Sequence, residues 1–254
     1  MSSLPPEAAY WDARYAVDGR LWGDGPSELA RLAVARLRTH ASAALTVLDV
    51  GCGYGRDSRY IAAELHCRAL GIDPSPRAVA TAQKSRSAGL DVEYMTGDAA
   101  ALAAEPGQAG SWDVVYACNV YHLMGPDARR AFAAALTVLA RPGGLLFVST
   151  LSPRDPQHYA VGEPVPGEER SWIEHVYLHF CTAEELEADF GAFEVLDLEE
   201  RSYDEHNANG VVHRHASWFL EGRRPAGQTS APTGRTQAPA GRVDAGACWA
   251  DRRR

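Results

Sequence analysis

The sequence predicts a doubly wound α/β fold built around one largely parallel sheet, and three observations carry that prediction. Apolar runs of strand length alternate with helix-length segments from residue 45 to residue 151. The first run, Leu45 to Val50, is mostly branched and apolar, as suits a strand covered on both faces, and it empties into a loop with glycines at 51, 53 and 55. A second apolar run, Ala69 to Ile72, ends on Asp73, 22 residues beyond Gly51.

In chain order, residues 1–9 read as loose. Ser27 to His40 reads as a helix with Leu29, Leu32, Ala33 and Leu37 on one face. Strands are expected near 45–50, 68–73, 92–97, 113–119 and 145–151, with helices between them, the first continuing through Arg59 to Leu65. The helix 126–140 opens on Pro126 in its first turn and stops before Pro142-Gly143-Gly144. Residues 152–180 break the rhythm with Pro153, Pro156, Pro164 and Pro166, and a connection that long is usually functional. Thr182 is placed to cap a helix over 183–190, with Glu184 and Glu185 in its first turn. Strand signals return at 193–203 and 212–221, and after Arg224 the composition turns to Pro, Gly, Ala, Thr and Arg without periodicity. Residues 225–254 therefore read as a disordered tail.

The glycines remove Cβ atoms where the chain turns sharply and where a ligand approaches, and the following helix presents its first amides to the same crevice. Asp73 stands where a carboxylate accepts both ribose hydroxyls of an adenosine-containing cofactor. A dinucleotide site wants G-x-G-x-x-G, whereas here the spacing is G-x-G-x-G with Asp49 on the strand just before it. That carboxylate repels a pyrophosphate but suits a ligand carrying an ammonium and a sulfonium. A P-loop is excluded, because no Gly-Lys-Ser/Thr follows.

The stretch Asp49-Val50-Gly51-Cys52-Gly53-Tyr54-Gly55 resembles the [D/E]-x-G-x-G-x-G motif of class I S-adenosylmethionine-dependent methyltransferases. Three further stretches resemble later motifs in the right order: Val92 to Asp98, Trp112 to Asn119, and Leu139 to Val148 with its Pro-Gly-Gly turn. The resemblance covers roughly residues 10–224. It implies a seven-stranded Rossmann-like methyltransferase sheet whose last strand is antiparallel, and S-adenosyl-L-methionine as cofactor. It further implies cofactor contacts from Asp49, Gly51, Cys52, Gly53, Gly55, Asp73, Pro74, Asp98, Ala99 and Asn119, with Asp98 reaching the adenine amino group. The expected organisation is an N-terminal lid and helix over 1–40 and a methyltransferase domain over 41–224. Within that domain 152–180 forms a substrate-side insertion.

Composition narrows the acceptor. The net charge is −8, and residues 225–254 carry five arginines against two aspartates, so residues 1–224 carry −11, a poor surface for nucleic acid. Past the fourth strand stands Asn119-Val120-Tyr121-His122, not the Asp/Asn-Pro-Pro-aromatic run of enzymes that methylate base amino groups. Five cysteines without metal spacing, no signal segment and no membrane-length run point to a cytoplasmic protein with reduced thiols. Nothing in the sequence speaks to oligomeric state.

Ligands in such sheets bind outside the carboxyl ends of the strands. That rule gathers Tyr121 and His122 with His206, His213 and His215 of the last two strands as candidate catalytic groups. Aromatic residues ahead of the first strand, Trp11, Tyr15 and Trp22, suggest a lid over donor and acceptor, or else a staple on the core. Their pattern resembles small-molecule methyltransferases of the tellurite-resistance and thiopurine type, which implies a thiol or other chalcogen acceptor. O- or N-methylation of a secondary metabolite is the alternative. No metal is expected, since H-E-x-x-H and Cys-x-x-Cys are absent, although a weaker alternative is a non-catalytic cofactor-binding protein, or a metal-handling one using His175, His179, His206, His213 and His215, with His175 and His179 on one face if helical.

Overall fold

The structure, a computed structural model, describes residues 6–38, 45–207 and 209–227. Strands β1 (Thr46–Val50), β2 (Arg68–Asp73), β3 (Val92–Thr96), β4 (Trp112–Cys118), β5 (Ala140–Leu151), β9 (Glu194–His206) and β10 (Val212–Arg223) form one sheet. Its order is β3-β2-β1-β4-β5-β10-β9, with β10 antiparallel to both neighbours and the first five strands parallel. The doubly wound sheet with an antiparallel last strand is thus the observed architecture. Leu48, Val115, Phe147 and Ile72 are fully buried, which explains why these strands read as apolar runs.

Helices α1 (Pro6–Asp18), α2 (Glu28–Arg38), α3 (Arg56–Leu65), α4 (Pro76–Lys84), α5 (Ala99–Ala104), α6 (Pro126–Leu139) and α7 (Ala183–Asp189) complete the fold. Ser27 caps α2 by accepting the Ala30 amide at 3.1 Å. Thr182 and Glu185 make a reciprocal capping box on α7, as the sequence suggested. Two expectations change. Residues 6–9 are helical, because α1 continues through the aromatic segment and docks on α4, where Ser75 Oγ donates to Asp12 at 2.7 Å. The Pro142-Gly143-Gly144 run lies inside β5, which starts at Ala140 and shifts register against β4 between Trp112 and Val114.

The segment 152–180 is no bare loop. It folds back as β6 (Glu163–Pro164), β7 (Ser171–Ile173) and β8 (Tyr177–His179), a small antiparallel sheet. Leu178 and Phe180 bury against Leu151 and Trp172, which pins this sheet beside the carboxyl end of β5. His175 and His179 therefore sit on a tight hairpin and not on one helical face. Among the described residues no helix is long and apolar enough to cross a membrane. The expected tail lies outside the described residues from 228 onward.

Candidate active site

A cavity of about 480 Å³ opens at the carboxyl ends of β1 and β4, where the strand order reverses. The glycine loop forms one wall. Gly51 has φ +74°, and a Cβ there would lie 2.3 Å from Val120 Cγ2. Gly53 has φ +54°, and a Cβ there would lie 2.6 Å from the Tyr15 hydroxyl. Both positions therefore demand glycine on conformation and on space. Cys52 shares this wall, and burial pushes its thiol far above the ordinary range, so it is neutral and a poor nucleophile.

Carboxylates gather at the same end. Asp73 accepts the Gly53 amide at 2.9 Å and the Ser75 amide at 2.8 Å. Burial, only partly offset by these bonds, raises its pKa to about 6. Asp49 is buried beside the loop, accepts from Ser58 Oγ at 2.5 Å, and is pushed up to about 8 by burial and by Asp57. Asp57 accepts from the Ser27 amide, the Ser27 hydroxyl and Tyr116 at 2.7–2.8 Å. Buried acids whose proton affinity rises in this way are short of positive charge. A ligand bearing an ammonium and a sulfonium fits that deficit. The indole N–H of Trp11, on the same cavity, is buried without a partner among the described residues and remains available as a donor.

Asn119 lines the cavity at the end of β4 with φ +56°, held by Ser149, whose hydroxyl donates to its Oδ1 at 3.2 Å. Pro74 also lines it. Three expected cofactor contacts fall outside the lining. Gly55 lies behind the loop against the Tyr94 ring. Asp98 spends its carboxylate on the Ala101 amide as the cap of α5, at 2.8 Å, and Ala99 is buried in that helix's first turn.

The three N-terminal aromatics converge on the cavity. The Tyr54 hydroxyl donates to the carbonyls of Trp22 and Gly23, and the Trp22 ring stands edge-on to His213 and His215 at centroid distances of 5.7 and 6.5 Å. The segment is thus stapled to the core and lines the cavity.

The far end of the cavity carries histidines, but not the whole set that the sequence gathered. Residues 121–123 form a tight 3-10 turn that sends neighbouring side chains apart. Tyr121 is a correction: it is 1% exposed, packs on Phe132 and Phe190, and donates to Asp189 away from the cavity. His122 does line the cavity, yet burial and the nearby His215 hold its pKa at about 3. Its Nδ1 accepts from the Leu151 amide at 3.4 Å, so it is a neutral hydrogen-bonding group and no proton acceptor at neutral pH.

His206 is the second correction. It pairs with Val212, whereas His213 pairs with Glu205 and His215 with Tyr203. Strand alternation then turns Tyr203, Glu205, His213 and His215 toward one face and His206 toward the other, where it is exposed. Two groups from the 152–180 segment complete this end and were not singled out from the sequence: Asp155, which receives the His215 Nδ1 hydrogen at 3.1 Å, and His158, which stacks on His215 at 5.6 Å. The chain-length of that segment was the only sequence signal for them.

Comparison with known proteins agrees with this geometry. Residues 47–144 match the family model described as a methyltransferase domain. Among curated proteins, the ubiquinone biosynthesis O-methyltransferase of Xanthomonas axonopodis pv. citri (strain 306) is 38% identical over 155 residues, 58% of this chain and 62% of that protein. The chain spans about a third to three fifths of the length of the first curated relatives it matches. Among solved structures, a protein studied for the conversion of a disulfide bond into a thioacetal group during echinomycin biosynthesis superposes with a TM-score of 0.68. The two are 24% identical, and the match covers 88% of this chain and 93% of that one. Magnesium protoporphyrin IX methyltransferase from Synechocystis PCC 6803, solved with bound SAM, matches at 0.59 and 18% identity over 88% of this chain and all of that one. At those identities the two structures speak for the fold.

Proposed function

We propose that the chain is a class I S-adenosylmethionine-dependent methyltransferase and that it methylates a hydroxyl group of a small molecule. S-adenosylmethionine supplies an electrophilic methyl on a sulfonium and leaves as a neutral thioether. The chain's part is to hold the donor, exclude water and relieve the acceptor of its proton as carbon–oxygen bond formation replaces the carbon–sulfur bond.

In this reading Asp73, oriented by the Gly53 amide, holds the ribose, and Asp49 sits by the cationic end. Trp11, Tyr15 and Trp22 close the cavity to water. The observation that carries the choice of acceptor is the wall of His158, His213 and His215, backed by Asp155 and Glu174. A thiol, with an ordinary pKa of about 8.5, supplies some thiolate on its own near neutral pH, whereas a hydroxyl needs a placed group to take or share its proton. A chain expected to act on a soft thiol has little use for such a wall, so the thiol reading yields to the hydroxyl one. The named O-methyltransferase relative supports the same choice.

The test is S-adenosylhomocysteine release across matched phenols, aliphatic alcohols, thiols and amines. Preference for a hydroxyl supports the proposal. Preference for thiols or amines overturns the acceptor assignment alone, and failure to bind S-adenosylmethionine in calorimetry overturns the whole reading.

A further inference from the structure

We propose that His158, His213 and His215 form a binding site for one divalent transition metal of the zinc class, with an open coordination position facing the acceptor end of the cavity. One ring nitrogen from each of the three lies within 4.8 Å of the others. Tetrahedral ligation at about 2.0–2.1 Å sets nitrogens about 3.3 Å apart, so each ring has to move inward by less than about 1 Å. The three rings are gathered with nearly parallel planes, 13° between His158 and His215 and 9° between His213 and His215, so ligation also asks the rings to turn about their side-chain torsions to aim their in-plane lone pairs at one point.

The surroundings have the chemistry of a metal site. His215 Nδ1 donates to Asp155 at 3.1 Å, and His158 Nδ1 is 3.2 Å from Glu174 Oε2. Each of these pairs fixes a tautomer and leaves Nε2 with its lone pair free, the arrangement that orients metal-bound imidazoles. Asp155 is itself fixed by the His158 amide at 2.8 Å and the Ala216 amide at 3.1 Å. Glu205, 4.0 Å from His215 Nε2 and paired with Arg56, adds a third carboxylate near the cluster. Only His213 and His215 of the five histidines offered by the sequence belong to the set. His175 lines the cavity without joining the cluster, His206 faces away, and His179 bonds with Ser171 at 2.9 Å.

The consequence for the reaction rests on the hydroxyl reading above. A metal at this place would take the acceptor oxygen in its open position, lower its pKa and let the proton pass to solvent before methyl transfer. The site itself stands apart from that reading, because its test needs neither donor nor acceptor.

Full-length protein, stripped with chelator and dialysed, is titrated with Co²⁺ and followed by its visible absorption. One equivalent with the intense bands of four-coordinate cobalt, displaced by Zn²⁺, is the expected result. His213→Ala and His158→Gln should each weaken binding at least tenfold, and Asp155→Asn by about tenfold to a hundredfold. His206→Ala should bind as wild type does. If His213→Ala fails to fold, His158→Gln, in an irregular segment, decides. Wild-type protein that takes up no cobalt, or folded His158→Gln that binds as tightly as wild type, overturns the site.

Discussion

The backbone amide of Gly53 donates to the Asp73 carboxylate at 2.9 Å, so the middle of the glycine loop is tied to the end of the neighbouring strand. Asp73 also takes the Ser75 amide, which leads into the cap of α4. One side chain therefore sets the loop's shape and offers its remaining lone pairs to the cavity.

Asp73→Ala should weaken S-adenosylmethionine binding at least about tenfold, since bonds to an ionised group are each worth roughly 1.5–3 kcal/mol. Calorimetry on folded variant checks this. Unchanged affinity would remove Asp73 from the donor site.

Asp49 should make donor binding depend on pH. Its folded-state pKa of about 8 stands above the ordinary 3.8, so the free protein holds this proton at pH 7 while the unfolded chain does not. The linkage sign follows: Asp49 subtracts stability progressively as pH rises from about 4 toward 8, and Asp73, raised to about 6, acts in the same direction. A sulfonium beside Asp49 favours the carboxylate. Binding at pH 7 should then release a proton, and affinity should climb with pH and level off above about 8. Calorimetry in buffers of different ionisation enthalpy measures the proton count. Asp49→Asn should abolish the release, and zero release by the wild type would contradict the assignment.

How far the site was legible follows from how local each signal is. Gly51, Gly53, Asp49 and Asp73 are set by strands and the turns that leave them, and they line the cavity. His206 was misplaced because its side depends on hairpin register, fixed by the turn at Asn207, whose amide bonds to Val211 at 2.9 Å. Tyr121 and His122 are neighbours that a 3-10 turn divides between core and cavity, and no periodicity marks such a turn. Asp155 and His158 lie in irregular chain, and only the docking of Leu178 and Phe180 carries their segment to the hairpin.

Tyr121→Phe tests that division. The loss of its hydrogen bond to Asp189 should cost about 1 kcal/mol, a fall of roughly 2–4 °C in melting temperature, with turnover unchanged. A selective drop in turnover without loss of stability would return Tyr121 to the catalytic set.

Trp22 and His122 test whether the cavity is one enclosure. Trp22 stands edge-on to His213 and His215, and its carbonyl accepts from Tyr54, so its backbone is anchored while its ring walls the histidine end of the cavity. His122 lies between Thr150 and the cavity, neutral and bonded to the Leu151 amide. Neither touches the glycine loop's carboxylates, so removing either should spare the donor. Trp22→Ala and His122→Ala are expected to lower turnover about tenfold or more while S-adenosylmethionine affinity stays within about threefold, the pattern of lost acceptor alignment. Paired calorimetry and turnover measurements separate the outcomes. Donor affinity that falls in step with turnover would make Trp22 a structural staple of the N-terminal segment. Normal turnover in both variants would place the acceptor outside this cavity.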